Sequence, residues 1–248
     1  MDVKQIKVKV IPSKLANDFV RKHHYSGKVV PNSRLHFGCF LNNILHGVMS
    51  FGCSMDKRKV GATVKNTGWN EFIELNRMAF DDVLAKNSES RCLSVAIRLI
   101  KKNAPQIKWI ISYADGSQSG DGTIYRATGF NLIGIKVNKQ ILEWKGKRIA
   151  KKTLDNENYP KINGKYYSRY LLENGEAKAI PGFQLKYIYF IDKTKITNLT
   201  VPILPFSKID EMGAGMYKGV KITQSSRHAD LAQGSAVGFQ STDSGQTD

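Results

Sequence analysis

One segment near the middle of the chain constrains the fold more than any other. An apolar run from Ile107 to Tyr113 ends at Ala114-Asp115, and a loop rich in Gly and Ser follows. A short helical segment around Tyr125 then closes on Gly129-Phe130. A buried strand that ends in a carboxylate and opens into a glycine loop is typical of the ligand-handling edge of an α/β protein. The segment therefore predicts an α/β fold with Asp115 and Tyr125 near its functional site.

Hydrophobic periodicity predicts the elements on either side of this segment. Strands are predicted at 6–11, 35–41, 44–51, 71–80, 107–113, 131–137, 140–144 and 184–191, and helices at 13–27 and 87–102. The strands 131–137 and 140–144 are expected to form a hairpin. This order, together with the Tyr-x-x-x-Gly-Phe ending, resembles the GNAT superfamily of N-acyltransferases. The resemblance implies an α/β (α+β) fold with a central mixed, mostly antiparallel sheet flanked by helices.

Composition divides the chain into a folded part and a tail. We expect residues 1–212 to form one GNAT-like catalytic domain, since 41% hydrophobic residues are enough for a core. Within it, residues 145–180 are polar and predict an insertion or a lid. Residues 213–248 are dominated by Gly, Ser, Gln and Asp without apolar periodicity, which predicts a disordered tail.

The charge indicates the class of partner. There are 38 Lys and Arg against 21 Asp and Glu, a net charge of +17. Such a charge favours a polyanion, because neutralising phosphates releases counterions, although solubility alone also produces basic proteins. The three cysteines, Cys39, Cys53 and Cys92, have no metal-site or disulfide spacing, and no apolar stretch approaches a membrane span. We expect a cytoplasmic protein whose partner is nucleic acid; the sequence leaves the oligomeric state open.

A set of segments gives a more specific resemblance. In order along the chain they are HHYSG (23–27), LHGVMSFG (45–52), FIELNRMAF (72–80), NSESRCLSVAIR (87–98), SYAD (112–115), GTIYRATGF (122–130) and YIYFID (187–192). Together they resemble the Mom family of phage DNA-modification proteins. The resemblance implies conversion of adenine in viral DNA to N6-(carbamoylmethyl)adenine, which shields that DNA from host restriction endonucleases.

The resemblance also implies roles for particular residues. Arg77, Asp115 and Tyr125 are expected to be catalytic: Asp115 as a base for the poorly nucleophilic adenine amine, Tyr125 as a donor to a leaving group or oxyanion, and Arg77 as an anchor for an anionic or carbonyl group. His24, Tyr25 and Ser112 are expected to bind substrate. Duplex adenine is unreachable inside the stack, so double-stranded DNA is expected to present a flipped base, with Tyr25 stacking on it.

Each assignment has a structural alternative. Asp115 after a strand is also a common cap for the following loop. Arg77 would equally face solvent or pair with Glu74 or Asp82. Tyr125 before Gly-Phe is often a packing residue, and imidazolium groups at a helix end, as at His23 and His24, favour the helix dipole without any binding role.

The donor is less constrained by the sequence. In the superfamily, backbone N–H groups at the start of the central helix hold the pyrophosphate of coenzyme A. Here that junction contains Ser88, Ser90 and Arg91, which we assign to cofactor binding, but not the usual glycine pattern. The sequence does not identify the donor; acetyl-CoA and other acyl or glycyl compounds are the candidates. Iron is associated with the family by resemblance, and His24 and Tyr25 are its candidate ligands.

Two other functions remain possible on sequence alone. A conventional acetyltransferase acting on a protein or small amine would bind coenzyme A tightly, which the missing glycine pattern disfavours. A non-catalytic basic DNA-binding protein would not need Asp115. The adenine-modifying enzyme is the interpretation that accounts for the most residues.

Overall fold

The computed structural model describes residues 5–116, 120–217 and 220–221. Its central sheet has seven strands in the order β1-β2-β3-β4-β5-β10-β6, and every neighbouring pair is antiparallel except β4 with β5. These strands are β1 (Lys7–Val10), β2 (Ser33–Leu41), β3 (Ile44–Gly52), β4 (Phe72–Phe80), β5 (Trp109–Asp115), β6 (Asn131–Val137) and β10 (Phe183–Phe190). The mixed, mostly antiparallel sheet expected from the sequence is confirmed.

Helices cover both faces of this sheet. They are α1 (Ser13–His23), α2 (Lys57–Gly61), α3 (Ser88–Asn103), α4 (Thr123–Thr128) and α7 (Ser207–Glu211), with a 3-10 helix at Lys193–Asn198. The apolar side of α1, including Phe19 and Val20, packs on Val48 and Ala79 of the sheet. The apolar side of α3 packs on the opposite face, where residues such as Phe37 and Met49 complete the main core. We call these two sides the α1 face and the α3 face.

The predicted hairpin between 131–137 and 140–144 is wrong. Strand β6 instead pairs with β10. The pairing runs from Asn131 opposite Ile188 to Val137 opposite Phe183. Strand β10 is apolar on both sides, with Leu185, Tyr187 and Ile188 all fully buried. It therefore buries more when strands flank it on both edges than when it lies at the edge of the sheet.

The segment expected to be a polar insertion has a core of its own. A small sheet of order β8-β7-β9 joins β7 (Ile141–Trp144), β8 (Lys147–Ala150) and β9 (Ala177–Ala179), and two helices, α5 (Lys151–Leu154) and α6 (Tyr167–Glu173), pack on it. Leu142, Leu154 and Leu171 are fully buried between them, surrounded by aromatic rings. We call residues 141–179 the small subdomain.

The predicted tail begins with residues that contact the core. Ala214 is fully buried, Met216 is 6% exposed, and β11 (Met216–Tyr217) pairs with β12 (Val220–Lys221). Ala214 and Met216 thus pack within the folded part of the chain. Residues 222–248 lie outside the described residues. In the part of the chain that the structure describes, no helix is both long and apolar enough to cross a membrane.

Candidate active site

The site lies where two parallel strands separate. Strands β4 and β5 pair only over a short stretch, in which Phe72–Glu74 of β4 lies beside Trp109–Ile111 of β5. Beyond this point β4 continues along β3, while β5 continues along β10. The resulting β4–β5 gap, between residues 75–80 and 112–115, opens into a cavity of about 740 Å³. Residues from α1, α3 and α4 line it, so the cavity is bounded from both faces of the sheet.

A bulge in β4 determines which side chains share the α1 face. Ser50 pairs with Arg77 and Phe51 pairs with Leu75, so Asn76 is an extra residue between them. Residues three apart in a regular strand point to opposite faces. The extra residue reverses this, because a bulge places two residues opposite one. Glu74 and Arg77 therefore both point to the α1 face, while Leu75 joins the core on the other side.

The guanidinium of Arg77 is held by backbone oxygens. Its Nε donates to the Lys28 carbonyl at 2.9 Å, and its Nη1 donates to the Asn76 carbonyl at 2.8 Å. Among the described ion pairs none involves Arg77, so the alternatives of pairing with Glu74 or Asp82 are not what fixes it. The positive charge is positioned in the cavity wall and acts on the groups around it.

His24 follows α1 directly and is neutral at physiological pH. Desolvation, and then the positive charge of Arg77, lowers the pKa of His24 from 6.5 to about 4. Its Nδ1 accepts a hydrogen bond from the Ser26 backbone N–H at 3.2 Å and lies 2.8 Å from Ser26 Oγ. A backbone N–H only donates, so Nδ1 carries no proton and the neutral ring carries it on Nε2. His24 is thus a hydrogen-bond donor through Nε2.

Tyr25 stands at the mouth of the cavity. Its ring is 56% exposed and lies 4.2 Å from the His24 ring, centroid to centroid. Desolvation, and then the Asp115 carboxylate, raises the pKa of its phenol. An exposed aromatic ring beside a cavity offers a flat surface on which a nucleobase can stack.

Asp115 ends β5 on the same face of the sheet. Its neighbours Ala114 and Ile110 belong to the main core on the α3 face, so alternation along the strand directs Asp115 to the α1 face, with Glu74 and Arg77. Its Oδ2 accepts a hydrogen bond from Asn138 Nδ2 at 2.9 Å. The carboxylate and the guanidinium thus lie on opposite sides of the gap, and both line the cavity.

Tyr125 lines the cavity from the α3 face, whereas Ser112, which was expected to bind substrate, is not among the described lining residues. Ser112 is fully buried, and its hydroxyl donates to the Leu75 carbonyl at 3.3 Å, across the start of the gap. Burial raises the pKa of Tyr125 to about 12, although a hydrogen bond with Ser112 acts in the opposite direction. Tyr125 also packs on Phe130 and Tyr187. The phenol is both a packing group and a protonated donor at the gap.

Sequence reasoning missed Glu74 as a residue of the site. Desolvation raises the pKa of this carboxyl, while hydrogen bonds and the Arg77 charge lower it. Its charge helps to raise the pKa of two phenols, that of Tyr113 in β5 and that of Tyr125 in α4. The sequence offered only a glutamate three residues before Arg77, a spacing that without the bulge would put the two on opposite faces.

The residues assigned to cofactor binding lie at the start of α3. Ser88 Oγ donates to the Ala85 carbonyl, and Ser90 Oγ donates to the Asn87 carbonyl at 3.1 Å. Ser88 is also fully buried. Both hydroxyls therefore already bind backbone oxygens of the same turn. The Ser88 backbone N–H also donates to the Ala85 carbonyl, at 3.1 Å. A donor held here would therefore meet the backbone N–H groups of Glu89 and Ser90 and the Arg91 side chain rather than the two hydroxyls.

The predicted metal ligands, His24 and Tyr25, are not confirmed as a metal site. In residues 5–116, 120–217 and 220–221 no three His, Cys, Asp or Glu side chains are grouped closely enough to hold a metal ion. The Nδ1 of His24 is already bonded within its own turn. The described residues around His24 and Tyr25 do not fit an iron site.

Comparison with known proteins decides the family. The model of the Mom protein family matches residues 5–208. The chain belongs to the Mom family. A relative named methylcarbamoylase mom, from Escherichia phage Mu, is 32% identical over 197 residues, covering 77% of this chain and 77% of the relative.

Among solved structures, two acetyltransferases are similar to this Mom family chain. One is a Bacillus subtilis acetyltransferase in complex with CoA, with a TM-score of 0.42, 12% identity, and coverage of 75% of this chain and 97% of that one. The other is a spermidine/spermine N-acetyltransferase from Vibrio cholerae, in complex with manganese ions. It has a TM-score of 0.42 and 10% identity, and the match covers 77% of this chain and 96% of that one.

Proposed function

We propose that this protein is a DNA-modifying transferase that converts adenine to N6-(carbamoylmethyl)adenine. The observation that carries the proposal is the convergence of Arg77, Asp115 and Tyr125 on one cavity in the β4–β5 gap of a Mom family chain. The related phage Mu protein is named a methylcarbamoylase. The modified base would shield the DNA of an infecting phage from restriction nucleases. The protein would therefore act in the bacterial cytoplasm.

The distribution of charge favours the DNA phosphates outside the cavity and the flipped base inside it. The whole chain carries +17, which suits the phosphates of double-stranded DNA. The cavity is different: its described lining includes the carboxylates of Glu74, Asp82, Glu89, Asp115 and Asp121, and a single guanidinium. Phosphates are therefore disfavoured inside it, while a neutral base that donates hydrogen bonds is favoured. A flipped adenine, whose exocyclic amine is such a donor, meets this requirement.

The α1 face holds the groups that would receive the base. Tyr25 is placed to stack on the extruded ring, and His24 offers an Nε2 proton to a ring nitrogen. Asp115 accepts the proton that N6 loses as its lone pair forms the new bond to the methylene carbon of the donor, while the bond from that carbon to the donor's leaving group breaks. Arg77 holds the carbonyl or anionic part of the donor against the gap. A cavity of about 740 Å³ is within the usual size range of small-ligand pockets, which supports room for both reactants.

The α3 face holds the groups that would serve the donor. Because the pKa of Tyr125 is about 12, its phenol is protonated at neutral pH and donates to the leaving group as its bond to the methylene carbon breaks. Ser112 fixes the phenol beside the gap. The start of α3 supplies backbone N–H groups for the anionic part of the donor, with Arg91 beside them. The donor must carry its leaving group on the methylene carbon, whereas acetyl-CoA carries it on the carbonyl carbon and would leave an amide on N6.

The test is modification of a plasmid inside cells. Bacteria expressing the protein yield plasmid whose nucleosides are separated and weighed by mass spectrometry. We expect a deoxyadenosine carrying one carbamoylmethyl group, and resistance of the plasmid to nucleases that cut at adenine-containing sites. Asp115→Asn should abolish the product while DNA binding by gel shift is retained. Unmodified deoxyadenosine with the wild-type protein, at confirmed expression, would refute the proposal.

A further inference from the structure

We propose that Asn138 is a positioning residue that holds the Asp115 carboxylate in its reactive orientation. The inference rests on the proposed function, because it takes Asp115 to be the base. It concerns a residue with no sequence motif of its own, located just after β6 ends at Val137.

The side-chain amide of Asn138 has only one arrangement that satisfies its neighbours. The Gln140 backbone N–H donates to Asn138 Oδ1 at 3.0 Å. A backbone N–H cannot accept, so Oδ1 must face Gln140 and Nδ2 must face the other way. Nδ2 then donates to Asp115 Oδ2 at 2.9 Å. The local turn therefore determines that Asn138 presents a donor, not an acceptor, to the carboxylate.

The backbone of Asn138 is fixed as well. Its N–H donates to the Gly182 carbonyl at 2.7 Å, where the chain returns from the small subdomain to β10. One residue later on the same return, the Phe183 carbonyl accepts from the Gly116 N–H, directly after Asp115. Both crossings between the central sheet and the small subdomain thus meet beside Asp115. The orientation of a base matters for its reaction, since small misplacements of reacting groups can reduce rates by about 100-fold.

The small subdomain contacts the opposite side of the cavity too. Lys28 Nζ donates to Thr153 Oγ1 of α5 at 2.7 Å, and the Lys28 carbonyl is the acceptor for Arg77 Nε. One residue therefore links each group to the small subdomain or its connections: Asn138 links Asp115, and Lys28 links Arg77. Asn138 is the direct link on the Asp115 side.

The experiment compares three variants of the full chain. Asn138→Asp keeps an acceptor for the Gln140 N–H but replaces the donor to Asp115 with a second carboxylate. Asn138→Ala removes both. Asn156→Asp is the matched control, since Asn156 Oδ1 accepts from the Asn158 backbone N–H at 2.9 Å in the same type of turn within the small subdomain. Asp115→Asn is measured alongside.

Two measurements are made on each variant. Carboxyl NMR of selectively labelled protein records the carboxyl ¹³C chemical shift of Asp115 at neutral pH, and nucleoside mass spectrometry gives the modified fraction of plasmid adenine. The chemical shift of a carboxylate responds to the N–H group that donates to its oxygen. We therefore expect the Asp115 signal to move in both Asn138→Asp and Asn138→Ala, because both remove that donor. Modification should fall by about 10- to 100-fold in both, and neither quantity should change in Asn156→Asp.

The outcomes separate this inference from the proposed function. If Asp115→Asn is inactive but the Asp115 carboxyl signal is the same in Asn138→Asp and wild type, the positioning role is wrong while the catalytic site stands. If Asp115→Asn still modifies DNA, the base is misassigned and the positioning role falls with it. A merely structural Asn138 would lower thermal stability in both variants and leave the Asp115 signal unmoved.

Discussion

The neutrality of His24 gives a prediction that needs no substrate. Its pKa is about 4 in the folded protein against 6.5 for a free histidine. Above pH 6.5 the ring is neutral in both states, and the full stability is present. As the pH falls from 6.5 towards 4 the unfolded chain takes up a proton that the folded chain refuses, so stability is lost. One pH unit of difference corresponds to about 1.4 kcal/mol, which gives a total near ~3 kcal/mol.

Replacing His24 should remove this acid-dependent loss. His24→Asn keeps an acceptor near the position of Nδ1 for the Ser26 N–H, but does not titrate. The free energy of unfolding, from urea titrations at intervals between pH 7.5 and 4.5, should decrease less in His24→Asn than in wild type. The difference between the two proteins should grow by about 2–3 kcal/mol across that range. Arg77→Gln, which removes the second cause of the shift, should reduce the same loss in part.

A constant difference between the two proteins over the whole pH range would refute the reasoning. It would mean that His24 takes up its proton as readily in the folded chain as in the unfolded one. His23→Asn serves as the control for loss of a histidine at the same helix end, because His23 also lines the cavity and stacks on Phe19 at 4.2 Å. An equal response in both variants would likewise contradict a specific role of His24.

Three further predictions concern Gly122, Tyr187 and Glu74, which lie in or next to the cavity wall. Gly122→Ala should lower the free energy of unfolding by about 2–4 kcal/mol in urea titrations, since its φ is +88° and a Cβ would lie 2.4 Å from the Tyr187 ring. Gly164→Ala, with φ +75° and open space, should cost only the backbone part, and an equal loss in both would contradict the packing argument. Tyr187→Phe should cost about 1–2 kcal/mol, because the phenol donates to the Asp121 carbonyl at 2.6 Å, and no loss in thermal unfolding would count against that bond. Glu74→Gln should stabilise the protein more at pH 8 than at pH 4, because a carboxyl with a raised pKa contributes stability at low pH that is lost as pH rises; the opposite trend would show that Glu74 is not desolvated.

The sequence predicted the order of the central elements and the convergence of three distant motifs. The segment 71–80 and the apolar run before Asp115 are local signals, and both strands form within two residues of their predicted bounds. Family resemblance then placed Arg77, Asp115 and Tyr125 together, which no local pattern would do. The structure adds that Tyr125 and Ser112 lie on one face of the sheet and Arg77 and Asp115 on the other.

What escaped prediction depended on pairing between distant strands. The bulge at Asn76 is defined by the register of β3 against β4, and it alone puts Glu74 beside Arg77. The choice of β10 rather than β7 as partner of β6 depends on how much apolar surface each pairing buries. The Asn138–Asp115 bond joins residues 23 apart and follows from that choice. None of these leaves a mark on a single stretch of sequence.

The β4–β5 gap has a consequence for the kinetics of the reaction. A cavity lined from both faces of a sheet allows DNA to occupy one face and the donor the other at the same time. Both reactants would then be bound before the new bond forms. The methylene group would pass directly from the donor to the base, without a covalent intermediate on the protein. Initial-rate lines for varied DNA at several donor concentrations should therefore intersect, whereas parallel lines would indicate a protein-bound intermediate.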